Sequence, residues 1–109
     1  MPTVYKVLGQ SNPAATTATT LYTVPASTST VVSTITVANI GTSGTYRIAI
    51  RPAGATLANQ HYIAYDGALN ANDTITWTLG ITLAATDVVT VYASNTSFSF
   101  SAFGSEISY

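Results

Sequence analysis

TVVSTITVANIGTSGTYRIAIR, residues 30–51, decides the fold. Thr30–Asn39 is built from Thr, Val and Ile, whose branching at Cβ stiffens χ1 and favours extended chain. Side chains of a strand alternate between faces, so Val31, Ser33, Ile35 and Val37 share one face and Thr34 and Thr36 the other. Gly41–Gly44 reads as a hairpin turn, because its glycines accept positive φ. Thr45–Arg51 then alternates: Tyr46, Ile48 and Ile50 face one way, and Arg47, Ala49 and Arg51 the other.

The same period continues outward. Toward the N-terminus, Thr19–Val24 is a strand closed by a turn at Pro25–Ser29, and Thr3–Leu8 is a shorter strand. Between them, residues 9–20 are small, polar and Pro-containing, an extended arm or long loop. Toward the C-terminus, Pro52–Asn59 is a loop with room for one helical turn, Gln60–Asp66 a strand, and Gly67–Asn72 a turn. Asp73–Leu79 places Ile75, Trp77 and Leu79 on one face and Thr74, Thr76 and Thr78 on the other. Thr82–Thr86 is a connection, and Asp87–Ala93 and Ser97–Ile107 are strands joined by a tight turn at Asn95-Thr96. No stretch repeats apolar residues at helical spacing. Seven or eight short strands, with turn signals roughly every 8 to 12 residues, predict an all-β fold. The expected architecture is a single-domain antiparallel β-sandwich over residues 1–109, Ig-like or jelly-roll in order. Two sheets each offer one apolar face, with Trp77, Tyr46, Phe98 and Phe100 anchoring the core.

Charge is the second constraint. Of 109 residues only seven are charged (Lys6, Arg47, Arg51, Asp66, Asp73, Asp87, Glu106), 6% with net charge −1, where about a quarter is usual. A folded chain of this mass exposes on the order of 5,700 Å². Seven charged side chains at roughly 100 Å² each cover about an eighth of that. Charge keeps free monomers apart and soluble, so a surface this neutral is expected to meet other protein. There is no cysteine, hence no disulfide and no thiolate metal site. The opening residues, Met-Pro-Thr-Val-Tyr-Lys, lack the basic and apolar regions of a signal peptide. No apolar run approaches the ~18 residues of a membrane helix, and no basic patch points to nucleic acid.

Nothing assembles a catalytic site. His61 stands alone in QHYIAY and reads as structural, and no Ser/His/Asp spacing supports a triad. The expectation is a protein that is not an enzyme and needs no cofactor or metal. Asp66, Asp73 and Asp87 could serve calcium only if clustered; beside Gly67, Asn72 and Val88 they read as turn caps. Arg47 and Arg51 project from one strand face about 13 Å apart, either solvated or paired with acids of a neighbouring subunit, since Arg is enriched at interfaces. The seven tyrosines and one tryptophan allow a sugar platform, but Tyr46 and Trp77 lie on apolar faces. Tyr62, out of phase with His61 and Ile63, is the aromatic expected to be exposed. Arg47, Arg51 and Tyr62 are thus the candidate interface residues. Residues 9–20 do not space glycines as a phosphate loop does. They could free strand Thr3–Leu8 to add to a neighbour's sheet edge, or simply connect two strands of one domain.

The succession KVLGQ (6–10), LYTVP (21–25), TVAN (36–39), YRIAIRPAGA (46–55), NQHYIAYD (59–66), GITLAATDVVTVYAS (80–94) and SFSFSAFGSEI (97–107) resembles small structural proteins of tailed bacteriophages, notably those of aquatic cyanobacteria and marine bacteria. The resemblance implies a virion structural protein without enzyme activity or cofactor. The expected role is a capsid decoration (cement) protein on the outer shell, made in the host cytoplasm. Its partners would be the major capsid protein or other virion proteins and copies of itself, as a homotrimer or similar closed oligomer. A neck, tail or fibre component, or a carbohydrate-binding β-sandwich module on the virion surface, is the alternative.

Overall fold

Which strand pairs with which is the information that periodicity lacks, and here the pairing is nested. The computed structural model describes residues 2–109, apart from the side chain of Leu79, whose expected face lies outside the described residues. The strands are β1 (Thr3–Ser11), β2 (Thr19–Thr23), β3 (Thr28–Asn39), β4 (Gly44–Arg51), β5 (Tyr62–Leu69), β6 (Asp73–Leu83), β7 (Val88–Ala93) and β8 (Phe98–Ser108). Two short 3₁₀ turns, Pro52–Gly54 and Asn59–His61, lie between β4 and β5. Sheet I runs β1-β8-β3-β6 and sheet II runs β2-β7-β4-β5, with every pair antiparallel. First pairs with last, second with seventh, third with sixth and fourth with fifth. The chain is therefore one long hairpin, with its tip at β4–β5, rolled into a sandwich. That is the jelly-roll order, and it decides against the Ig-like alternative.

This order corrects two turns. β3 lies in sheet I and β4 in sheet II, so Gly41–Gly44 belongs to a crossing between sheets, not to a hairpin. Asn39, 1% exposed, shapes the crossing. Its Nδ2 donates to the carbonyls of Thr42 (2.7 Å) and Leu69 (3.1 Å), and its Oδ1 accepts from the Gly41 N–H (3.1 Å). Asn95-Thr96 likewise carries the chain from sheet II to sheet I, with Asn95 Oδ1 accepting from the Ser97 N–H at 2.8 Å. Among the described residues only β4 and β5 are both consecutive and paired.

The faces of β3 also differ from simple alternation. Val32, Ile35 and Val37 are all fully buried, although Val32 and Ile35 are three apart. The register with β8 slips between Val32 and Thr34, so Ser33 is an extra, bulged residue and the strand changes phase there. Val31 is consequently on the outer face, not beside Ile35. At the same level β1 carries Leu8 as an extra residue, and β6 carries residues 79–80. β8 runs through unbroken, and Gly104 makes room: a Cβ there would stand 2.0 Å from the Val31 carbonyl oxygen.

The core lies between the sheets and centres on Phe98, Phe100, Ile35, Ile48, Val89 and Val91. Tyr46 is buried beside Phe98, with ring centroids 6.3 Å apart. Trp77 is partly buried against this cluster and donates its Nε1–H to Tyr46 Oη at 3.2 Å. The accessible surface is 5409 Å², close to what the mass requires. Of residues 9–20, 9–11 continue β1 and 19–20 open β2. The segment between is tied to its own domain: Asn12 Nδ2 donates to the carbonyls of Thr96 (2.9 Å) and Phe98 (2.6 Å), and the Thr16 N–H to Ala93 (2.8 Å).

One polar network crosses the sandwich. Tyr22 of sheet II donates its hydroxyl to Glu106 Oε2 in sheet I and lies 2.8 Å from Thr30 Oγ1. Lys6 Nζ stands 3.4 Å from the other Glu106 oxygen. With its proton directed at the carboxylate, the Tyr22 oxygen accepts from Thr30. Burial and the neighbouring Glu106 push the Tyr22 phenol up to about 12.

Two outcomes follow. Gly104→Ala is expected to lower unfolding free energy by about 1–3 kcal/mol through overpacking. Gly80→Ala, whose Cβ would meet nothing within 4 Å, should stay within about 0.5 kcal/mol. Urea denaturation compares the two. The Tyr22 phenol holds its proton longer folded than unfolded, so its contribution to stability is intact below pH ~10 and is lost as pH rises through ~12. Melting temperatures between pH 9 and 12, roughly that window, should fall more steeply for the wild-type chain than for Tyr22→Phe.

Candidate interaction surfaces

On the outer face of sheet II the side chains are organised by two irregularities in β5. Opposite Arg47, β5 has two residues, Tyr65 and Asp66, between the pairs Tyr46–Gly67 and Ile48–Ala64; a second slip leaves Ile63 extra before Tyr62 pairs with Ala49. Asp66 takes a positive φ of 51°. Ordinary alternation would put Tyr62 and Tyr65 on opposite faces. The bulges bring them together instead, with ring centroids 4.8 Å apart and planes at 81°.

Arg47 is the centre of this face. Its Nε donates to Asp66 Oδ1 at 2.6 Å and a terminal nitrogen to Oδ2 at 3.4 Å. Its guanidinium carbon lies 4.1 Å from the centroid of Tyr65 and 4.2 Å from that of Tyr92. The Asp66 carboxylate raises the Arg47 pKa further above its ordinary value. Asp66 is thus a bulge residue holding an arginine, not the turn cap expected. Arg51 lies on the same face and donates from Nε to Thr90 Oγ1 at 3.0 Å and from Nη1 to the Ala55 carbonyl at 3.1 Å. Tyr62 is half-buried, while Tyr65 is 58% exposed. Alternation singles out Tyr62 and misses Tyr65. The adjoining Asp66-Gly67 pair, common where backbone conformation is unusual, is the one local signal of the bulge.

Asp87 does cap: Oδ1 accepts from the Ala53 N–H at 2.8 Å and Oδ2 from the Ala84 N–H at 2.9 Å. Asp73 accepts from the Thr74 N–H at 2.9 Å. His61 accepts the Ala58 N–H on Nδ1 at 3.0 Å and so braces the second 3₁₀ turn. Each of the seven charged side chains has a hydrogen-bond partner in its own chain. Among the described residues no three His, Cys, Asp or Glu side chains gather as metal ligands, and no helix is long and apolar enough to cross a membrane.

The outer face of sheet I is the opposite case. Register places Tyr5, Ser105, Val31 and Thr82 in one row across the four strands. Val7, Phe103, Thr34 and Thr78 form the next row, and Gln10, Ser101, Thr36 and Thr76 a third. No charge stands in these rows. Tyr5 is 84% and Val7 48% exposed, and the bulge level opens a shallow cavity of about 370 Å³ lined by Tyr5, Val31, Ser33 and Phe103, with Lys6 at its border. β1 forms one edge of this sheet.

No protein-family model matches the chain, and no curated protein matches it. Among solved structures it resembles a chain in the "Structure of infectious bursal disease virus Gx strain", with a TM-score of 0.49 and 13% identity. The match covers 96% of this chain and 31% of that one, so this chain spans about a third of its length.

Arg47→Ala should lower stability by about 1–2 kcal/mol, the sum of a partly exposed ion pair and cation–π contact. It should also release Tyr65, read by thermal melts and by averaging of the Tyr65 ring signals in NMR. Because the pair is partly exposed, part of the loss should shrink in high salt.

Proposed function

We propose that the chain is a virion structural protein of a tailed bacteriophage that decorates the capsid and stabilises its outer shell. The observation that carries this reading is the three rows without charge across the outer face of sheet I. Packing such a face against protein strands no charge away from water, which would otherwise cost several kcal/mol per ion. Tyr5, Val7, Val31 and Phe103 give these rows an apolar side that association would cover. The jelly-roll order, an architecture used by capsid and lectin domains, and the sequence resemblance to phage structural proteins support the same reading. The role is mechanical: sheet I's face covers capsid protein or a neighbouring copy, and the β1 edge can extend a neighbour's sheet. Closed symmetry, such as a homotrimer, buries a repeated patch without running on into fibres. Arg47, Arg51 and Tyr62 lie on the opposite face, where both arginines are bonded within their own chain, and they take no part in this contact. A neck or tail position differs in stoichiometry.

Quantitative mass spectrometry and electron microscopy of particles carrying the chain should find hundreds of copies on the head; a ring of about six or twelve would instead indicate a neck or tail part. In the isolated protein, Tyr5→Lys and Thr76→Lys together should weaken self-association or shell binding more than about tenfold while leaving the melting temperature unchanged. Undiminished association in that variant, measured by light scattering and capsid co-sedimentation, would remove sheet I's face from the proposal.

A further inference from the structure

The aromatic corner on sheet II has features that neither the core nor the shell-binding face requires. Tyr65 is 58% exposed, yet its ring is held. Arg47 lies against it, and Arg47 is itself held by Asp66 and by Tyr92. Tyr62 meets Tyr65 at 81°, so the two rings form a floor and a wall rather than a stack. A cavity of about 340 Å³ opens there, lined by Asn59, Tyr62 and Tyr65. Asn59 is exposed at the start of the second 3₁₀ turn, and its amide offers two donors and an acceptor. Two bulges and a non-glycine residue at positive φ are needed to build this corner, and such irregularities recur where a side chain is re-aimed for a task.

We infer that this corner is a binding site for a neutral saccharide unit. The ligand is uncharged because no charged side chain lines the cavity and the nearest pair, Arg47 and Asp66, neutralise each other. A pyranose presents a C–H face and a rim of hydroxyls. The C–H face suits the negative π-face of a tyrosine, and the hydroxyls suit an amide that can both donate and accept. The rings are fixed before the ligand arrives, so less side-chain freedom is lost on binding. A proline-rich peptide also docks on aromatics, but it needs a groove with successive ridges along an extended helix. Here there is one corner and one amide. The site lies on the face opposite the proposed shell contact, so it would remain open in a decorated particle, and it does not depend on that reading.

Saturation-transfer NMR of the purified protein with cello-, malto-, manno- and xylo-hexaose tests the inference. At least one of the four should receive saturation at its ring protons, with shift changes at Tyr62, Tyr65 and Asn59. Tyr65→Ala and Asn59→Ala should each weaken that binding about tenfold or more, as loss of a stacked ring does elsewhere. Asn59 is exposed, so Asn59→Ala stands in if Tyr65→Ala melts early. The sheet I double variant, Tyr5→Lys with Thr76→Lys, should bind sugar as the wild type does, which separates the two functional readings. Binding by none of the four sugars, or binding unchanged in both corner variants, overturns the inference. Shifts at the same residues with decaproline and none with sugar would reassign the corner to peptide.

Discussion

Between Val32 and Thr34, strand β3 inserts one residue, Ser33, without advancing along β8, and so lets Val32 and Ile35 both face the core. Strict alternation from Val32 would turn Ile35 and Val37 outward. Burying each is worth about 1.5–3 kcal/mol, a large share of a net stability of about 5–15 kcal/mol. The rest of sheet I accommodates that single insertion. β1 and β6 carry extra residues at the same level, and Gly104 leaves the space into which the Val31 carbonyl turns. The outer cavity beside Ser33 and Phe103 lies at the same level.

The fold class was legible because Thr45–Arg51 alternates cleanly and because Thr, Val and Ile fill nearly every strand. The order of strands was not, since period two says which face a residue takes and nothing about its partner. Asn39 and Asn95 look like turn residues in either topology, and only the pairing shows that their turns cross between sheets. The site was legible in part. Arg47 and Arg51 share a face as their spacing requires, but their partners come from β5, β7 and the loop after β4. Such contacts depend on nested pairing and leave no local trace. Tyr65 was missed for the reason that misplaced Val31: an extra residue resets the phase, and alternation has no means of announcing it.

The scarcity of charge takes on a different meaning once each charged side chain is seen engaged within its own chain. Lys6 and Glu106 join β1 to β8, with Tyr22 spanning the sheets behind them. Arg47 and Asp66 fix a bulge, and Asp87 holds two backbone N–H groups. The charges stabilise the fold and project little net field. Two unlike faces result: one neutral and broad across four strands, the other aromatic and rigid around a compensated ion pair.

Nested pairing also has a consequence for biosynthesis. β8 is made last of the eight strands, yet it occupies the interior of sheet I between β1 and β3. Until it emerges, β1 has no partner in its sheet and β3 has an open edge. Phe98, Phe100 and Ala102 are also missing from the core. A nascent chain that stops before residue 98 therefore offers unpaired strands and an unfilled interior to chaperones and proteases. A chain lacking β8 is thereby distinguished from one that has it without any dedicated signal.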